Sequence, residues 1–393
     1  MLMSGREVKA TEGALAERQL LFVVTEDWYF CSHRLHLAVA AVQQGMRVAV
    51  ATNVAEHGAY IEAAGIELHP WRLKRSSVGL LAECTAVFDL WRIYRQVKPD
   101  VVHHVAIKPV VYGSLVSKLV RVPAVVNALG GMGAIFTGKS ARRGIMRRLV
   151  LAAFRGLLGA PNQVLILQNP DDCSLMVEEA GVRQQSLRLI RGAGVDTREY
   201  DVAAEPEGVP LVVLPARMLR DKGVAEFVDA ARLLKRRGMV ARFVLVGGCD
   251  SCNPAALTET ELSGWVREGV VEWWGRRSDM PAVFAASHIV CLPSYREGLP
   301  KALLEAAACG RAIVTTDVPG CREIVRHGVN GMLVPAQDAQ ALAHALQQLL
   351  LDSERRVRMG MAGRAMVVND FSDTAVARHT LGLYQELLSG ANR

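Results

Sequence analysis

Short apolar runs alternate with helix-spaced segments along the first half of the chain. Residues 20–25 form a β-branched run that ends in polar residues, and residues 35–44 have the spacing of a helix that Gly45 stops. The same alternation predicts strands at 46–52, 101–104, 124–127 and 164–167, and helices at 80–96 and 145–158. Strands that alternate with helices favour a parallel sheet that helices cover on both faces.

A second series of the same kind begins after residues 200–209, a segment rich in proline, alanine and acidic residues. Its strands are predicted at 211–215, 243–246, 289–292 and 312–315, and its helices at 224–237, 299–308 and 339–351. An amphipathic helix is predicted over 372–388 without a further strand. The sequence therefore predicts an α/β fold of two Rossmann-like parallel-sheet domains that face a cleft, with a boundary near residues 196–208.

We expect four regions from this pattern. Residues 1–18 are polar and predict a flexible N-terminal extension, and residues 19–200 form the first domain. Residues 201–371 form the second domain, and residues 372–393 form a C-terminal helix that crosses back to the first. The 393 residues, of which 51% are hydrophobic, are enough for two packed cores.

The charge of the chain is distributed unevenly. Residues 1–200 hold 24 lysines and arginines against 17 acidic residues, whereas residues 201–393 hold 22 against 22, so the net charge of +7 belongs to the first half. A positive field favours an anionic partner, for which nucleic acid, an acidic membrane surface and a phosphorylated acceptor are the candidates.

Apolar runs and cysteines indicate the compartment. No apolar segment has the length of a signal core or of a membrane-spanning helix, and the eight cysteines lack the spacing of a disulfide framework. We therefore expect buried free thiols in a reducing cytoplasm. Cys249 and Cys252 form a C-x-x-C pair without a second pair, which indicates two ordinary thiols.

Two glutamates frame the most informative segment, residues 294–334. Glu297 and Glu305 have seven residues between them, and the helix predicted over 299–308 begins between them. Both carboxylates can then face one ligand, because Glu297 lies in the turn after a strand and Glu305 on about the second turn of the helix. The backbone N–H groups of residues 298–301 suit a diphosphate, because they lie at the positive end of the helix dipole.

This segment resembles the E-x7-E signature of the family-4 retaining glycosyltransferases of the GT-B fold. The resemblance extends to a proline-glycine turn and to the paired glycines Gly328 and Gly331. Further matching stretches are PARMLRDKG at 215–223, the strand end at 245–248 and GAGVD at 192–196. The resemblance covers nearly the whole chain, and the order and spacing of its pieces are specific.

The resemblance implies a donor site in the second domain. Arg217 and Lys222 would hold the donor diphosphate, Glu297 would contact the transferred sugar, and these three residues form the implied catalytic set. Glu305 would bind the ribose hydroxyls. The other implied donor-binding residues are Gly248, Gly298, Leu299 and Pro300. A UDP-sugar would be the co-substrate, with no metal and no other cofactor.

The first domain carries the acceptor-side candidates. Asp27 and His33 lie in a polar-aromatic segment, predicted as a loop, directly after the first strand. This segment resembles the first loop of bacterial glycan-assembly members of the family, where the region lies between the acceptor and the diphosphate.

Two further strand ends in this domain supply candidates by resemblance. His103 and Lys108 follow one strand, although Val105 occupies the place where many members have a second histidine. Lys108 matches the subset of the family that uses lipid-diphosphate-linked acceptors. Asn127 and Gly131 belong to a glycine-rich loop in which the backbone can approach a ligand closely.

Residues 139–158 predict a basic amphipathic helix. The arginines proposed to contact a membrane are Arg142, Arg143, Arg147 and Arg148, and apolar residues are interleaved with them. Such a helix is typical of contact with an anionic membrane surface or a lipid phosphate. The alternative is an ordinary surface helix that packs its apolar stripe inward.

The resemblance implies transfer of a hexose or N-acetylhexosamine, best matched by N-acetylgalactosamine, to a polyprenyl-diphosphate-linked saccharide. The enzyme would serve the assembly of a bacterial surface polysaccharide or glycoprotein glycan, as a cytoplasmic protein on the inner face of the cell membrane. Two alternatives stay open, a UDP-sugar epimerase of the same fold and a non-catalytic nucleotide-sugar-binding protein. Nucleic acid is not an expected partner, because the basic helix lacks interleaved aromatic residues.

Overall fold

The computed structural model describes residues 15–73, 79–131, 141–250 and 253–391. The chain divides into two compact units. We call the first, which contains the residues up to Ala193 and those from Val376 onward, the N-terminal domain. The second, from Gly194 to Ala375, is the C-terminal domain.

The N-terminal domain is built on a seven-stranded parallel sheet. Its strands are β1 (Gln19–Glu26), β2 (Arg47–Asn53), β3 (Glu67–Pro70), β4 (Val101–Val105), β5 (Ala124–Ala128), β6 (Gln163–Leu167) and β7 (Leu187–Leu189). Its helices are α1 (Asp27–His33), α2 (Leu35–Gln43), α3 (Gly58–Ala63), α4 (Leu80–Val97), α5 (Ile107–Val120), α6 (Ala141–Leu157) and α7 (Pro170–Glu178). The strand order is β3-β2-β1-β4-β5-β6-β7.

The C-terminal domain contains a six-stranded parallel sheet in the order β10-β9-β8-β11-β12-β13. Its strands are β8 (Leu211–Pro215), β9 (Arg242–Val246), β10 (Glu272–Trp273), β11 (Ile289–Leu292), β12 (Ala312–Thr316) and β13 (Gly331–Val334). Its helices are α8 (Val224–Arg236), α9 (Glu259–Arg267), α10 (Met280–Ala286), α11 (Lys301–Ala308), α12 (Cys321–Ile324), α13 (Ala339–Leu351) and α14 (Ser353–Asp370).

Both sheets are buried on their two faces, which explains why their strands consist of nearly continuous apolar residues. Phe22 and Val24 of β1 belong to one buried cluster, whereas Leu21 and Val23 belong to another, because successive side chains of a strand point to opposite faces. The predicted α/β fold with two Rossmann-like parallel-sheet domains is confirmed.

The strand order reverses between β1 and β4 in the first sheet and between β8 and β11 in the second. At such a switch point the loops that leave the two neighbouring strands run in opposite directions, and a crevice forms outside the carboxyl ends of the strands. The residues that follow these four strands are therefore candidates for ligand binding.

The domain boundary falls slightly earlier than the sequence predicted. Gly194 already belongs to the C-terminal domain, and Tyr200 is buried there and packs on Phe284 with ring centroids 6.2 Å apart. Gly194 has a φ of +81°, and a Cβ atom at this position would lie 2.6 Å from the Cα of Asp373. The GAGVD stretch thus needs a glycine where it passes Asp373, three residues after the end of α14.

The last helix, α15, covers Asp373–Ala391. From Val376 onward it groups with the N-terminal domain, and its Tyr384, Leu387 and Leu388 are buried in the cluster that contains Phe22. The C-terminal segment of the chain therefore completes the core of the first domain.

Candidate functional site

An ion pair between Lys222 and Glu297 lies at the switch point of the C-terminal sheet. The lysine Nζ donates to the Oε1 atom of Glu297 at 2.5 Å, and Ser294 Oγ donates to the same oxygen at 2.7 Å. The side chains of Lys222 and Glu297 are 19% and 12% exposed. A cation and a carboxylate that are 75 residues apart in the sequence are thus held together within reach of solvent.

Backbone contacts fix the two loops that carry this pair. Tyr295 N donates to Asp221 O at 2.9 Å. Gly223, which follows Lys222 and caps α8, has a φ of +71°, and a Cβ there would lie 2.0 Å from Pro293 O. The close packing of the loop after β8 on the end of β11 therefore requires glycine, and it places Lys222 beside Glu297.

Arg217 precedes Lys222 in the same loop but has a different partner. Its Nη1 atom donates to Asp250 Oδ2 at 2.6 Å, and its side chain is 42% exposed. Gly248 lies at the end of β9 beside this pair, and its carbonyl accepts from Met218 N at 3.0 Å. Arg217 is thus oriented by the carboxylate of Asp250.

Glu305 lies on α11 and is nearly fully buried. Burial raises the pKa of this carboxyl above its ordinary value, although Lys301 Nζ, 3.2 Å away, and a hydrogen bond from Tyr200 act in the opposite direction. The Glu305 side chain is therefore held by a lysine and a tyrosine of its own domain.

The turn between the two glutamates differs in detail from the prediction. Helix α11 begins at Lys301 rather than at residue 299 or 300, since Pro300 has an extended backbone conformation and serves as the N-cap. Leu299 is 8% exposed and packs into a buried cluster of the domain, so its side chain faces the core. Gly298 and Pro300 thus form the turn that connects Glu297 to the helix.

Asp27 is the first residue of a helix rather than a loop residue. The segment that the sequence predicted as a loop forms α1, which begins at Asp27. The fully buried carboxylate accepts the backbone N–H groups of Ala55, Glu56 and His57 at 2.7, 3.0 and 2.9 Å, just before α3. Burial acts to raise the pKa of Asp27, but these backbone hydrogen bonds lower it below the ordinary value. The Asp27 carboxylate thus joins the start of α1 to the segment before α3.

His103 and Asn127 are also buried in the sheet, on opposite faces. His103 Nδ1 is 2.6 Å from Tyr384 Oη of α15, and Asn127 Oδ1 is 2.7 Å from Nδ1 of His104. The other ring nitrogen of His104 is 2.6 Å from Tyr94 Oη. Burial lowers the pKa of His104 to about 4 and that of His103 well below its usual range, so both rings are neutral near pH 7. These residues are hydrogen-bonded within the core, although His103 Nε2 and Asn127 Nδ2 are buried without a partner.

The remaining acceptor-side candidates lie nearer the edge of the first sheet. His33 ends α1 and stacks on Tyr29 with ring centroids 4.1 Å apart. Lys108 Nζ pairs with Glu83 of α4 at 2.8 Å. Gly131, with a φ of +143°, is the last described residue of the glycine-rich loop.

Ala106 joins β4 to α5 in a conformation that is normally restricted to glycine. Its φ is +83° and its ψ is 165°, and it forms the N-cap of α5 between the two histidines and Lys108. Strain of this kind costs about 1–3 kcal/mol and is concentrated at functional sites. The carboxyl end of β4 therefore carries strain where the first sheet reverses its strand order.

The basic helix α6 has two apolar sides. Its inner side, which the alternative interpretation required, consists of Val150, Phe154 and the following Leu158, all in one buried cluster. On the outer side Ile145 and Leu149 are 61% and 60% exposed. The helix thus packs inward and still presents an apolar surface outward.

The four arginines proposed for membrane contact are not equivalent. Arg147 forms an ion pair with Glu179 at the end of α7, whereas Arg148 is exposed beside Leu149. The side chains of Arg142 and Arg143 lie outside the described residues. In the part of the chain that the structure describes, no helix combines the length and the apolar character that a membrane span requires.

Sequence reasoning missed two residues of the N-terminal domain that belong with these candidates. Arg34, directly after His33, is 5% exposed, and Tyr384 of α15 is buried against His103. Arg34 stands in the same S-H-R stretch as His33, and an arginine beside a candidate histidine was a usable signal. No sequence signal linked Tyr384 to this region, because it is 281 residues from His103.

Two sequence families match the chain, one in each domain. Residues 209–352 match the family described as glycosyl transferases group 1, and residues 19–161 match the family described as glycosyl transferase 4-like. The first match contains Lys222, Glu297 and Glu305.

Two curated relatives cover most of the chain. It is 26% identical over 337 residues to N,N'-diacetylbacillosaminyl-diphospho-undecaprenol alpha-1,3-N-acetylgalactosaminyltransferase of Campylobacter jejuni, covering 82% of this chain and 87% of that protein. It is 23% identical over 310 residues to UDP-Gal:alpha-D-GlcNAc-diphosphoundecaprenol alpha-1,3-galactosyltransferase of Escherichia coli, covering 75% and 78%.

A solved structure shares the fold over nearly the whole chain. HepE of Anabaena in complex with UDP-glucose superposes with a TM-score of 0.75 at 20% sequence identity, covering 94% of this chain and 99% of HepE. At this identity the similarity establishes the architecture of two parallel-sheet domains.

Proposed function

Because the chain belongs to the group 1 glycosyltransferases, with a glycosyl transferase 4-like N-terminal domain, we propose that it is a retaining enzyme that uses a UDP-sugar. It transfers a hexose or N-acetylhexosamine to a polyprenyl-diphosphate-linked saccharide. The observation that carries this proposal is the Lys222–Glu297 pair at the switch point of the group 1 domain.

The chemistry of the pair fits the departure of a nucleoside diphosphate. As the bond between the sugar and the diphosphate breaks, negative charge grows on the phosphate oxygens, and Lys222 and Arg217 supply the compensating positive charge. The proposed reaction therefore needs no metal. Glu297 accepts hydrogen bonds from sugar hydroxyls and orients the lysine, and the low exposure of the pair strengthens its electrostatic interactions with a bound ligand.

Glu305 suits the ribose of the donor. A carboxylate accepts from two adjacent hydroxyls, and Glu305 lies on α11, the helix that follows the Glu297 turn. The buried carboxyl is already held by Lys301 and Tyr200, so a ribose would bind a preorganised group.

The relatives support the choice of donor and acceptor. The names of both curated relatives specify a diphosphoundecaprenol-linked acceptor, and one of them and HepE are described with UDP-sugars. N-acetylgalactosamine is our preferred transferred sugar because it is the sugar of the Campylobacter jejuni relative. A role in the assembly of a bacterial surface polysaccharide or glycoprotein glycan follows from such an acceptor.

The outer surface of α6 supports a peripheral location on the inner face of the cell membrane. Exposed Ile145 and Leu149 beside Arg148 combine apolar area with positive charge, as an anionic bilayer surface requires. Flotation with anionic vesicles tests this location. Leu149→Glu should release the protein, whereas Leu119→Glu, at an exposed leucine of α5, should not; equal flotation of both variants contradicts the location.

Product analysis tests the proposed reaction. The purified protein is incubated with UDP-N-acetylgalactosamine, UDP-N-acetylglucosamine or UDP-galactose and a short polyprenyl-diphosphate-linked N-acetylhexosamine, and the new linkage is assigned by NMR. We expect an α-linked product, which Glu297→Ala abolishes. A β-linked product contradicts retention, and the absence of both transfer and donor hydrolysis with every UDP-sugar contradicts the UDP-sugar assignment.

A further inference from the structure

Arg34 is a buried cation for which the donor chemistry gives no role. It separates α1 from α2 and is 5% exposed. Its Nη1 atom donates to the carbonyl of His33 at 2.9 Å, and its Nε atom is buried without a hydrogen-bond partner. Among the described residues, no carboxylate forms an ion pair with it.

The groups around Arg34 are polar and aromatic. Burial lowers the pKa of the guanidinium, and the neighbouring hydroxyls of Tyr29 and Tyr384 offset this effect in part. The burial of His103, together with the nearby charge of Arg34, lowers the pKa of the His103 ring. The Nε2 atom of His103 is also buried without a partner. Two buried nitrogen atoms, Arg34 Nε and His103 Nε2, thus lack hydrogen-bond partners in one small region.

This region lies at the carboxyl edge of the N-terminal sheet. Helix α1 follows β1 directly, and β1 is the neighbour of β4 at the switch point. Tyr29 reaches across to the loop after β5, since a Cβ atom at Gly130 would lie 2.8 Å from its hydroxyl oxygen. Helix α1 therefore begins where open parallel sheets bind their ligands, and Arg34 follows its last residue.

A buried charge is unfavourable unless an opposite charge or several hydrogen bonds compensate it. One carbonyl compensates Arg34 only in part, because a guanidinium offers five N–H donors. The planar donor fork of arginine matches the oxygens of a phosphate group and binds it in a bidentate manner. An anionic oxygen cluster is thus the ligand that would complete the coordination of Arg34.

We propose that Arg34 binds a phosphate group of the lipid-linked acceptor, in a subsite that Tyr29, His33, His103 and Tyr384 surround. The identification of the phosphate with the acceptor rests on the proposed function. The opposing interpretation is that Arg34 only caps the carbonyl end of α1 through His33.

The test measures binding of farnesyl diphosphate and of farnesol to the full chain by calorimetry. Saturating UDP is present throughout, so that the donor site is occupied. Arg34→Met replaces the guanidinium by an apolar group of similar length, and Arg34→Lys keeps the charge without the fork. Arg47→Met is the matched control, because Arg47 belongs to the same domain and also donates to a backbone carbonyl. Thermal unfolding of every variant is recorded.

We expect Arg34→Met to weaken farnesyl diphosphate binding by about 10- to 100-fold, as for the loss of charged hydrogen bonds, and Arg34→Lys to weaken it less. Farnesol binding and the Arg47→Met control should stay within about twofold of the unmodified protein, a difference of less than 0.5 kcal/mol. If Arg34→Met does not fold, Arg34→Lys decides: weaker binding at an unchanged Tm supports the subsite.

Two results overturn the proposal. One is unchanged diphosphate binding by a folded Arg34→Met or Arg34→Lys variant, which would leave Arg34 as a helix cap. The other is an unmodified protein that binds neither farnesyl diphosphate nor inorganic pyrophosphate in the presence of UDP. Hydrolysis of the UDP-sugar by water, which needs no acceptor, reports separately on whether the proposed transferase chemistry fails.

Discussion

Polar side chains near the switch points of the two sheets differ in their exposure and in their partners. In the C-terminal sheet, Lys222 and Glu297 face each other after β8 and β11 and remain partly exposed. In the N-terminal sheet, His103 and His104 lie within β4, and each ring is hydrogen-bonded to a buried tyrosine. The carboxyl end of the C-terminal sheet therefore carries a pair of charges that a ligand can reach, whereas the two histidines of β4 are held by buried tyrosines.

This difference distinguishes residues that are available to a ligand from residues that stabilise the native state. A polar side chain whose partners are all buried stabilises the native state, and its removal costs folding free energy. Lys222 and Glu297 are largely buried, but both remain within reach of a ligand and are therefore available for binding. Substitutions at the two switch points should therefore have opposite effects on turnover and on unfolding.

Lys222→Ala should have the largest effect. We expect kcat to fall by about 100- to 1000-fold, because the departing diphosphate loses a stabilising charge worth about 3–4 kcal/mol. Lys235→Ala, at an exposed lysine of α8, serves as the control and should keep full activity. Steady-state turnover and thermal unfolding are measured together. A Lys222→Ala enzyme within twofold of the control would place the chemistry elsewhere.

His104→Leu should show the reverse behaviour. The substitution leaves Tyr94 Oη and Asn127 Oδ1 with fewer partners in a dry core, and we expect a loss of about 2–4 kcal/mol in the free energy of unfolding. Turnover per folded molecule should not change. Urea unfolding is compared with that of His344→Leu, at an exposed histidine of α13. Equal free energies of unfolding for the two variants would show that the hydrogen bonds of His104 do not stabilise the N-terminal domain.

Glu305 is a buried carboxyl of the C-terminal domain, so its substitution should affect stability as well as donor binding. Because its pKa is raised in the folded protein, the folded state binds the proton more tightly than the unfolded chain does. The contribution to stability is therefore present below about pH 4.5, the ordinary value, and is lost as the pH rises through the raised value. Glu305→Gln carries no charge, so its Tm relative to the unmodified protein should increase with pH. A difference in Tm that is independent of pH contradicts the raised pKa.

Ala106→Gly should produce the smallest change. Glycine adopts the positive φ of this residue without a steric penalty, which outweighs the greater entropy of glycine in the unfolded chain. We expect a gain of about 1 kcal/mol in the free energy of unfolding, measured in urea. Ala128→Gly, at a buried alanine of β5, should destabilise the protein instead. A destabilising Ala106→Gly would show that the junction between β4 and α5 is not strained.

The sequence predicted the elements whose apolar pattern is continuous and clearly bounded. Strands β8 and β11 and helix α13 have the predicted bounds, because each is an apolar or regularly spaced run between polar residues. The short edge strands β3 and β10 were missed, since an edge strand of two to four residues buries too little apolar surface to leave a pattern.

The candidate site was predictable where it is formed by residues at the ends of neighbouring strands. The Lys222 loop and the Glu297 turn were placed at two strand ends, and a parallel sheet brings neighbouring strand ends together. The burial of the acceptor-side candidates Asp27 and His103 was not predictable from the positions of the strands. Asp27 and His103 look reactive in the sequence, but backbone donors 28 to 30 residues from Asp27 and a tyrosine 281 residues from His103 occupy them.

The position of α15 affects when the N-terminal domain can fold during synthesis. The core of the domain that the ribosome makes first contains Tyr384, Leu387 and Leu388. During synthesis that domain exposes the apolar patch that α15 will cover, until the end of the chain has left the exit tunnel. Translation order and folding order are therefore uncoupled, and a nascent chain stalled before residue 384 should depend on chaperones.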